Sequence, residues 1–389
     1  MRCRFGAYEL DDTRRELRGA SGPVALQPLA FDVLAYLVRH RGRVVGKDEL
    51  LREVWPDAVV TDGSLHRAVS LARRALRARD GPIVRTYARR GYRFVADVTE
   101  LEPGAADAPG DERPSYVRCG DVHVAYRALG EGPVDVVMVL GWSLSMHAVL
   151  ELSGPREIVR ALEGRARVVM FDKRGTGASD RVKTLASLDR RADDLAAVLD
   201  AVRSRSAVLV GFSEGGPLAI AFAARRPERI RGIALVGAFA RMAGGPDHPA
   251  GWSPAEIQTL RAYVRRRWGA GMTAEALVPE RHRTPALAAW AARAEQEGAS
   301  PGAALDLLDM NLELDARPLL ARIHVPTVVL HAAGDRVVRA GNGRALAAAI
   351  PGARLVEVPG DDHAFLFGGR PALVRELRAL VARARPPLT

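Results

Sequence analysis

The chain has 389 residues, 48% of them hydrophobic and 26% charged, the balance of a globular protein with a sizeable core and length for two or three domains. The formal net charge is +11, and residues 1–100 hold 19 Lys and Arg against 13 Asp and Glu, so the excess is concentrated in the first quarter and points to an anionic partner there. Two cysteines, Cys3 and Cys119, argue against a disulfide framework; the start lacks an apolar leader, and the longest apolar stretch, Val134–Leu152, is broken by Asp135, Gly141, His147 and Glu151, so a cytoplasmic protein with no membrane partner is expected.

Arg4–Leu10 predicts a short strand. Gln27–Arg39 places Leu29, Val33, Leu34, Leu37 and Val38 on one helical face. Lys47–Val54 predicts a second, short helix stopped by Pro56. The run from Thr61 to Ser64 supplies capping chemistry for a third helix to about Ala78, with Leu65, Ala68, Val69, Ala72 and Leu76 as its apolar stripe. Two short β runs, Ile83–Tyr87 and Tyr92–Val95, are joined by Ala88-Arg-Arg-Gly91 and predict a hairpin.

Between Leu65 and Val95 the charged residues are nine arginines and one acid, Asp80. The arginines of the third helix lie off its apolar stripe and face outward together, and Arg89 and Arg90 sit at the hairpin tip. Such a helix fits the DNA major groove, where arginine pairs with phosphates or guanine edges. The order strand, helix, short helix, basic helix, basic hairpin closely resembles the winged helix-turn-helix effector domain of OmpR/PhoB-type regulators. The matching blocks are Val24-Ala-Leu-Gln-Pro-Leu-Ala-Phe-Asp-Val-Leu34, Gly42-Arg-Val-Val-Gly-Lys-Asp-Glu-Leu-Leu51, Val54-Trp55, Leu76, and Arg85-Thr86 with Arg90-Gly-Tyr-Arg-Phe94. The resemblance covers about residues 4–97 and implies double-stranded DNA as partner. Carried over residue by residue, it implies a reading helix Ser64–Arg77 with Ser64, Arg67, Ser70, Arg73 and Arg74 facing DNA, and a wing contacting it through Thr86, Arg89, Arg90 and Tyr92.

Thr99–Arg113 is rich in Pro, Gly, Ala and acid and reads as a linker. Beyond it β runs at Val134–Leu140, Arg167–Phe171, Ala207–Val210, Gly232–Val236, Thr327–His331 and Arg354–Val358 alternate with helical segments at Leu188–Ala201, Pro217–Arg225, Gly343–Ile350 and Pro371–Ala382. This alternation predicts a parallel sheet covered on both faces. Arg241–Arg317 interrupts it with helical segments carrying Trp252, Trp268 and Trp290, as a cap would.

The β run Ala207–Val210 leads into Gly211-Phe212-Ser213-Glu214-Gly215 and then a helix. G-x-S-x-G in strand–turn–helix context is a nucleophile elbow, with Ser213 exposed at the sheet's end. A serine nucleophile needs a base and an acid to orient it. Asp335 and His363 each follow a β run, and the chain order Ser, acid, His resembles that of α/β-hydrolases; Asp361 and Asp362 are rivals for the acid but lie very near the histidine. His331 ends a strand and reads as packing or capping, and His147 as a pocket-lining candidate. The oxyanion hole takes the backbone N–H groups of Glu214 and of Trp142, in the loop after Val134–Leu140. Residues 115–389 resemble the α/β-hydrolase superfamily, and Val168-Val-Met-Phe-Asp-Lys-Arg-Gly-Thr-Gly-Ala-Ser-Asp180 is similar to members fused to signalling or DNA-binding domains. The resemblance implies ester or lactone hydrolysis of a small-molecule substrate without metal or cofactor, and fixes no substrate.

The expected architecture is therefore α/β: an N-terminal winged helix (α+β) over 1–98, a linker over 99–113, and an α/β-hydrolase domain over 114–389 with a doubly wound, mostly parallel sheet and a helical cap at about 241–317. The expected function is a transcriptional regulator whose hydrolase domain hydrolyses or senses a small ester- or lactone-like molecule, with a homodimer left open. Two alternatives remain at this point: an esterase-like metabolic enzyme whose winged helix has lost specific DNA binding, and a sensor that uses the pocket only to bind.

Overall fold

The computed structural model describes residues 2–11, 16–19, 22–24, 26–54, 62–76, 83–88, 90–100, 113–182, 186–363, 365 and 369–384. The chain divides into two compact units, Met1–Pro109 and Gly110–Thr389. Most of the expected linker, 101–112, lies outside the described residues, as do Trp55, Pro56, Thr61, Arg77, Arg79 and Arg89.

In the first unit the expected strand Arg4–Leu10 is two strands, β1 (Arg2–Phe5) and β2 (Tyr8–Asp11), because the chain reverses at Gly6-Ala7. With β3 (Glu16–Gly19) and β4 (Gly22–Pro23) they form an antiparallel sheet. Helices α1 (Pro28–Arg39), α2 (Lys47–Val54) and α3 (Asp62–Ala75) follow, then the hairpin β5 (Val84–Tyr87) and β6 (Gly91–Phe94). Thr99–Glu100, assigned to the linker by composition, is strand β7 and pairs with β1 at the sheet's edge. The core joins Leu34, Leu37, Leu65 and Val69 from the helices, and Leu76 just past α3, to Phe5 and Phe94, whose rings meet edge to face at 4.9 Å. The hairpin is pinned to the loop before α2: Val45 N–H donates to Tyr92 O at 2.8 Å and Tyr92 N–H to Val45 O at 2.9 Å. Only glycine fits at 91, where φ is +130° and a Cβ would lie 1.9 Å from the Val45 carbonyl oxygen.

The second unit opens with a hairpin the sequence pattern does not suggest, β8 (Ser115–Cys119) and β9 (Val122–Leu129). Then come β10 (Asp135–Val139), α4 (Met146–Glu151), α5 (Ser153–Ala161), β11 (Arg167–Phe171), α6 (Leu188–Ala201), β12 (Ala207–Phe212), α7 (Gly215–Arg225) and β13 (Ile230–Val236). The chain continues through α8 (Pro254–Arg267), α9 (Met272–Leu277), α10 (Pro285–Gly298) and α11 (Pro301–Glu313), and returns with β14 (Thr327–Ala332), α12 (Ala340–Ala349), β15 (Arg354–Val358) and α13 (Arg370–Ala384). The sheet order is β15-β14-β13-β12-β10-β11-β9-β8, with all pairings from β15 to β11 parallel and the outer hairpin antiparallel. The central strands are buried on both faces, which explains their continuous apolar runs.

Helices α8–α11 occupy the stretch expected as a cap, and its tryptophans tie it down. Trp252 Nε1–H donates to Val337 O and Trp290 Nε1–H to Ala148 O, each at 2.8 Å, and the Trp268 ring packs on Trp142 at 5.1 Å. Both cysteines are buried and unpaired with each other, and burial pushes the Cys119 thiol up to about 11. Among the described residues no helix is long and apolar enough to cross a membrane.

Candidate active site and nucleic-acid interface

Helix α3 presents Ser64, Arg67, Ser70, Arg73 and Arg74 as exposed residues, opposite Leu65, Ala68, Val69 and Ala72 in the core. Thr86 and Arg90 of the hairpin are exposed as well; Arg89 lies outside the described residues. Arg73 is already engaged: its Nε donates to Val84 O at 3.0 Å and its Nη2 to Thr86 Oγ1 at 2.8 Å, locking helix to hairpin. Tyr92, expected to contact DNA, is instead a core residue with 2% of its surface exposed. Arg73 covers one side of its ring at 5.9 Å and His66 meets its edge at 6.3 Å, so α3 hides it. His66 is an exposed residue of α3 to which the arginine pattern gives no role, although its spacing from Gly63 and Ser70 puts the three on one helical face.

In the second unit β12 delivers Ser213 to the sheet's carboxyl end. Ser213 has φ +49°, a left-handed conformation that costs a side-chain-bearing residue on the order of 1–3 kcal/mol. The turn persists because its backbone is fixed: Ser213 N–H donates to Val236 O and Gly216 N–H to Ser213 O, each at 2.9 Å. Helix α7 starts against β10 so closely that a Cβ on Gly215 would lie 2.1 Å from Val139 O. The Gly141 backbone passes over the serine, since a Cβ there would meet Ser213 Cβ at 3.2 Å and Oγ at 3.8 Å.

His363 and Asp335 meet as the sequence order suggests, with His363 Nδ1 2.6 Å from Asp335 Oδ2 and both side chains buried. The carboxylate is oriented from behind, because Asp335 Oδ1 accepts from Val337 N–H at 2.8 Å and Val338 N–H at 3.0 Å. Of the rivals, Asp361 pairs with Arg281 at 2.7 Å, and that guanidinium holds its carboxyl below the usual range. His331 packs under the site: its Nε2 lies 2.6 Å from Val338 O, and burial pushes its pKa down, which keeps it neutral. His147 is exposed beside Glu151 and does not line the cavity. Ser213 and His363 line one cavity of about 360 Å³ whose walls are overwhelmingly apolar, from Met138, Ile158 and Met170 on and beside the sheet to Trp252, Leu277 and Trp290 of the inserted segment. Among the described residues no cluster of three or more His, Cys, Asp or Glu could hold a metal ion.

Residues 136–369 match the family described as alpha/beta hydrolase fold. The chain belongs to the α/β-hydrolase family. Residues 21–94 match the family described as transcriptional regulatory protein, C terminal, and form an OmpR/PhoB-type DNA-binding domain. The hydrolase part is 31% identical over 261 residues to a pimeloyl-[acyl-carrier protein] methyl ester esterase of Chromobacterium violaceum, covering 64% of this chain and 94% of that one. Among solved structures it is similar to a bromoperoxidase from Bacillus anthracis (TM-score 0.62, 23% identity, 69% of this chain and 99% of that one). It is also similar to the enol-lactonase from Burkholderia xenovorans LB400 (TM-score 0.57, 25% identity, 69% and 100%).

Within this hydrolase domain Glu214 directly follows Ser213 and Trp142 directly follows Gly141, whose backbone passes over the serine, and among the described residues neither backbone N–H makes a hydrogen bond. Trp142 is held at φ +26°. A buried ionic cluster, to which the sequence pattern gives no role, fixes both. The Glu214 carboxylate pairs with Lys173 and Arg191, all three side chains being about 5% exposed or less. Lys173 Nζ also donates to Leu140 O at 2.9 Å, at the root of the Trp142 loop. Burial pushes the Lys173 pKa down, and Glu214 opposes that shift. Next to it Asp172 accepts from Met146 N–H at 2.7 Å and Ala178 N–H at 2.8 Å, and Arg174 grips Asp194 with two bonds at 2.5 and 2.6 Å.

Proposed function

We propose that the protein is a DNA-binding transcriptional regulator whose hydrolase domain cleaves a small ester- or lactone-like molecule and thereby senses it. The observation that carries the reading is the strained Ser213 sharing one cavity with a His363 whose Nδ1 is 2.6 Å from Asp335 Oδ2. Ser213 Oγ attacks the acyl carbon while His363 Nε2 takes its proton. Asp335 holds the imidazole in the Nδ1–H tautomer. The oxyanion is received by the Trp142 and Glu214 N–H groups. His363 then returns the proton to the leaving alkoxide, and a water deprotonated by His363 releases the acid from the acyl-serine. A fluorophosphonate probe is expected to label the full chain stoichiometrically and to leave Ser213→Ala unlabelled. Equal labelling of both would remove Ser213 from the reaction.

The regulator half of the reading rests on the outward face of α3 and the hairpin. Arg67→Ala, Arg74→Ala and Arg90→Ala are each expected to weaken binding of the full chain to promoter DNA. Each should flatten the dependence of log K on log salt by about one unit for every DNA phosphate left without its arginine. Thermal stability should stay unchanged, as these side chains are exposed. Arg73→Ala should lower both affinity and stability, since it also unfastens Thr86 and Val84. Gel shifts between about 50 and 200 mM salt decide this. No binding at the low-salt end would leave the enzyme without its regulatory role.

A further inference from the structure

The cavity that holds Ser213 and His363 contains two polar groups with no use in an apolar room. Asn311, on α11, is 3% exposed, and among the described residues its buried side-chain oxygen has no hydrogen-bond partner. Its side-chain nitrogen donates no hydrogen bond either, among the described residues. The indole Nε1–H of Trp142 is likewise buried and, among the described residues, unpartnered. Both residues line the cavity. An unmet buried donor or acceptor costs roughly 1–3 kcal/mol, and two of them among side chains such as Met138, Leu308 and Trp290 call for a reason. The other tryptophans at the cavity do not share the feature, because Trp252 and Trp290 both donate to backbone carbonyls.

From this we infer that the bound molecule is an apolar acyl chain interrupted by an amide, whose carbonyl accepts from Trp142 Nε1–H and whose N–H donates to Asn311 Oδ1. This rests on the hydrolase reading for the place of the ester and adds the chemistry of the acyl chain. A plain hydrocarbon chain would fill the volume but strand both groups, and a site built around paired polar atoms discriminates against ligands that leave them unpaired. The amide is the complementary partner because the site offers one donor from an indole and a side-chain amide that both donates and accepts. The apolar walls on either side take the methylene stretches.

The test compares p-nitrophenyl esters with nine-atom acyl chains. One is the nonanoate; the others carry an amide, built from N-pentanoyl-β-alanine, N-butanoyl-4-aminobutyrate and N-propanoyl-5-aminopentanoate. At least one amide ester is expected to exceed the nonanoate in kcat/KM by 10-fold or more, and Asn311→Leu is expected to bring that ratio to 1 or below. Asn311→Leu should also keep or raise the melting temperature of the ligand-free protein, because it removes an unpaired buried group. A nonanoate preferred over all three amide esters, a ratio unmoved by Asn311→Leu, or a fall in melting temperature would each overturn the inference. Equilibrium binding of the same esters to Ser213→Ala, read by tryptophan fluorescence, separates the two levels. Selective binding of an amide ester to Ser213→Ala, together with no turnover of any ester by the unsubstituted protein, would sink the hydrolase reading and leave the amide site standing. Brisk turnover without selectivity would do the reverse.

Discussion

Ser213→Ala and His363→Ala are each expected to lower turnover of a short acyl ester by roughly 10³-fold or more, and the double variant to lose little beyond either single one. The two groups act as a unit: without the base the hydroxyl stays a weak nucleophile, and without the hydroxyl the base has nothing to activate. Asp335→Asn is expected to cost less, because the histidine and serine remain. The structure specifies how it fails. Asp335 Oδ1 is committed to the Val337 and Val338 N–H groups, so an asparagine keeps its oxygen there and turns its NH₂ toward His363 Nδ1. The imidazole then favours the tautomer that accepts at Nδ1 and carries its proton on Nε2, facing the serine, so that only its minor tautomer can act as a base and the loss is large but smaller than that of His363→Ala. Asp361→Asn is the control, since that carboxylate serves Arg281. Steady-state kinetics on the variants decide the assignment. An intact rate in Asp335→Asn together with a lost rate in Asp361→Asn would move the acid to Asp361.

What can be read in the sequence is what is local. The elbow is legible because Gly211, Ser213 and Gly215 lie within five positions and the strand and helix around them declare themselves by apolar pattern. The parallel sheet is legible because buried central strands are continuous apolar runs. The β8–β9 hairpin escapes notice for the opposite reason: exposed Arg118 and His123, and a buried Arg127, interrupt its residues, and no apolar run forms. Tyr92 is misplaced by its sequence because its position depends on β6 passing behind α3, a packing relation that the hairpin's own residues do not encode. The roles of Asp172, Lys173 and Arg174 are hidden by distance. The run stands out in the chain, but its partners Met146, Glu214 and Asp194 lie 26, 41 and 20 residues away. Asn311 gives no signal, since a single asparagine in a helix is usually a surface residue.

Glu214→Gln is expected to be among the most destabilising single changes in the hydrolase domain, by about 3–5 kcal/mol, because it strands Lys173 and Arg191 as buried cations beside each other. For a unit of this size that corresponds to a fall in melting temperature on the order of 6–10 °C. Lys173→Met should cost less. It leaves Glu214 paired with Arg191, and the methionine occupies the space of the lysine stem. The two variants also differ in what they do to catalysis. Lys173 bonds the carbonyl of Leu140 as well as Glu214, so it couples the loop that carries the Trp142 N–H to the residue that carries the second N–H. Lys173→Met should therefore lower kcat by roughly 10-fold or more while KM moves little, the signature of an interaction that matters in the transition state. Replacing Lys173, Glu214 and Arg191 together with apolar residues of similar volume should restore most of the stability without restoring kcat. Differential scanning fluorimetry and steady-state kinetics on the three proteins separate these effects. If the triple variant recovered both, the cluster would be filling space and no more; if Glu214→Gln melted within about 2 °C of wild type, the buried cations would have found water or other partners, and the positioning argument would fall with them.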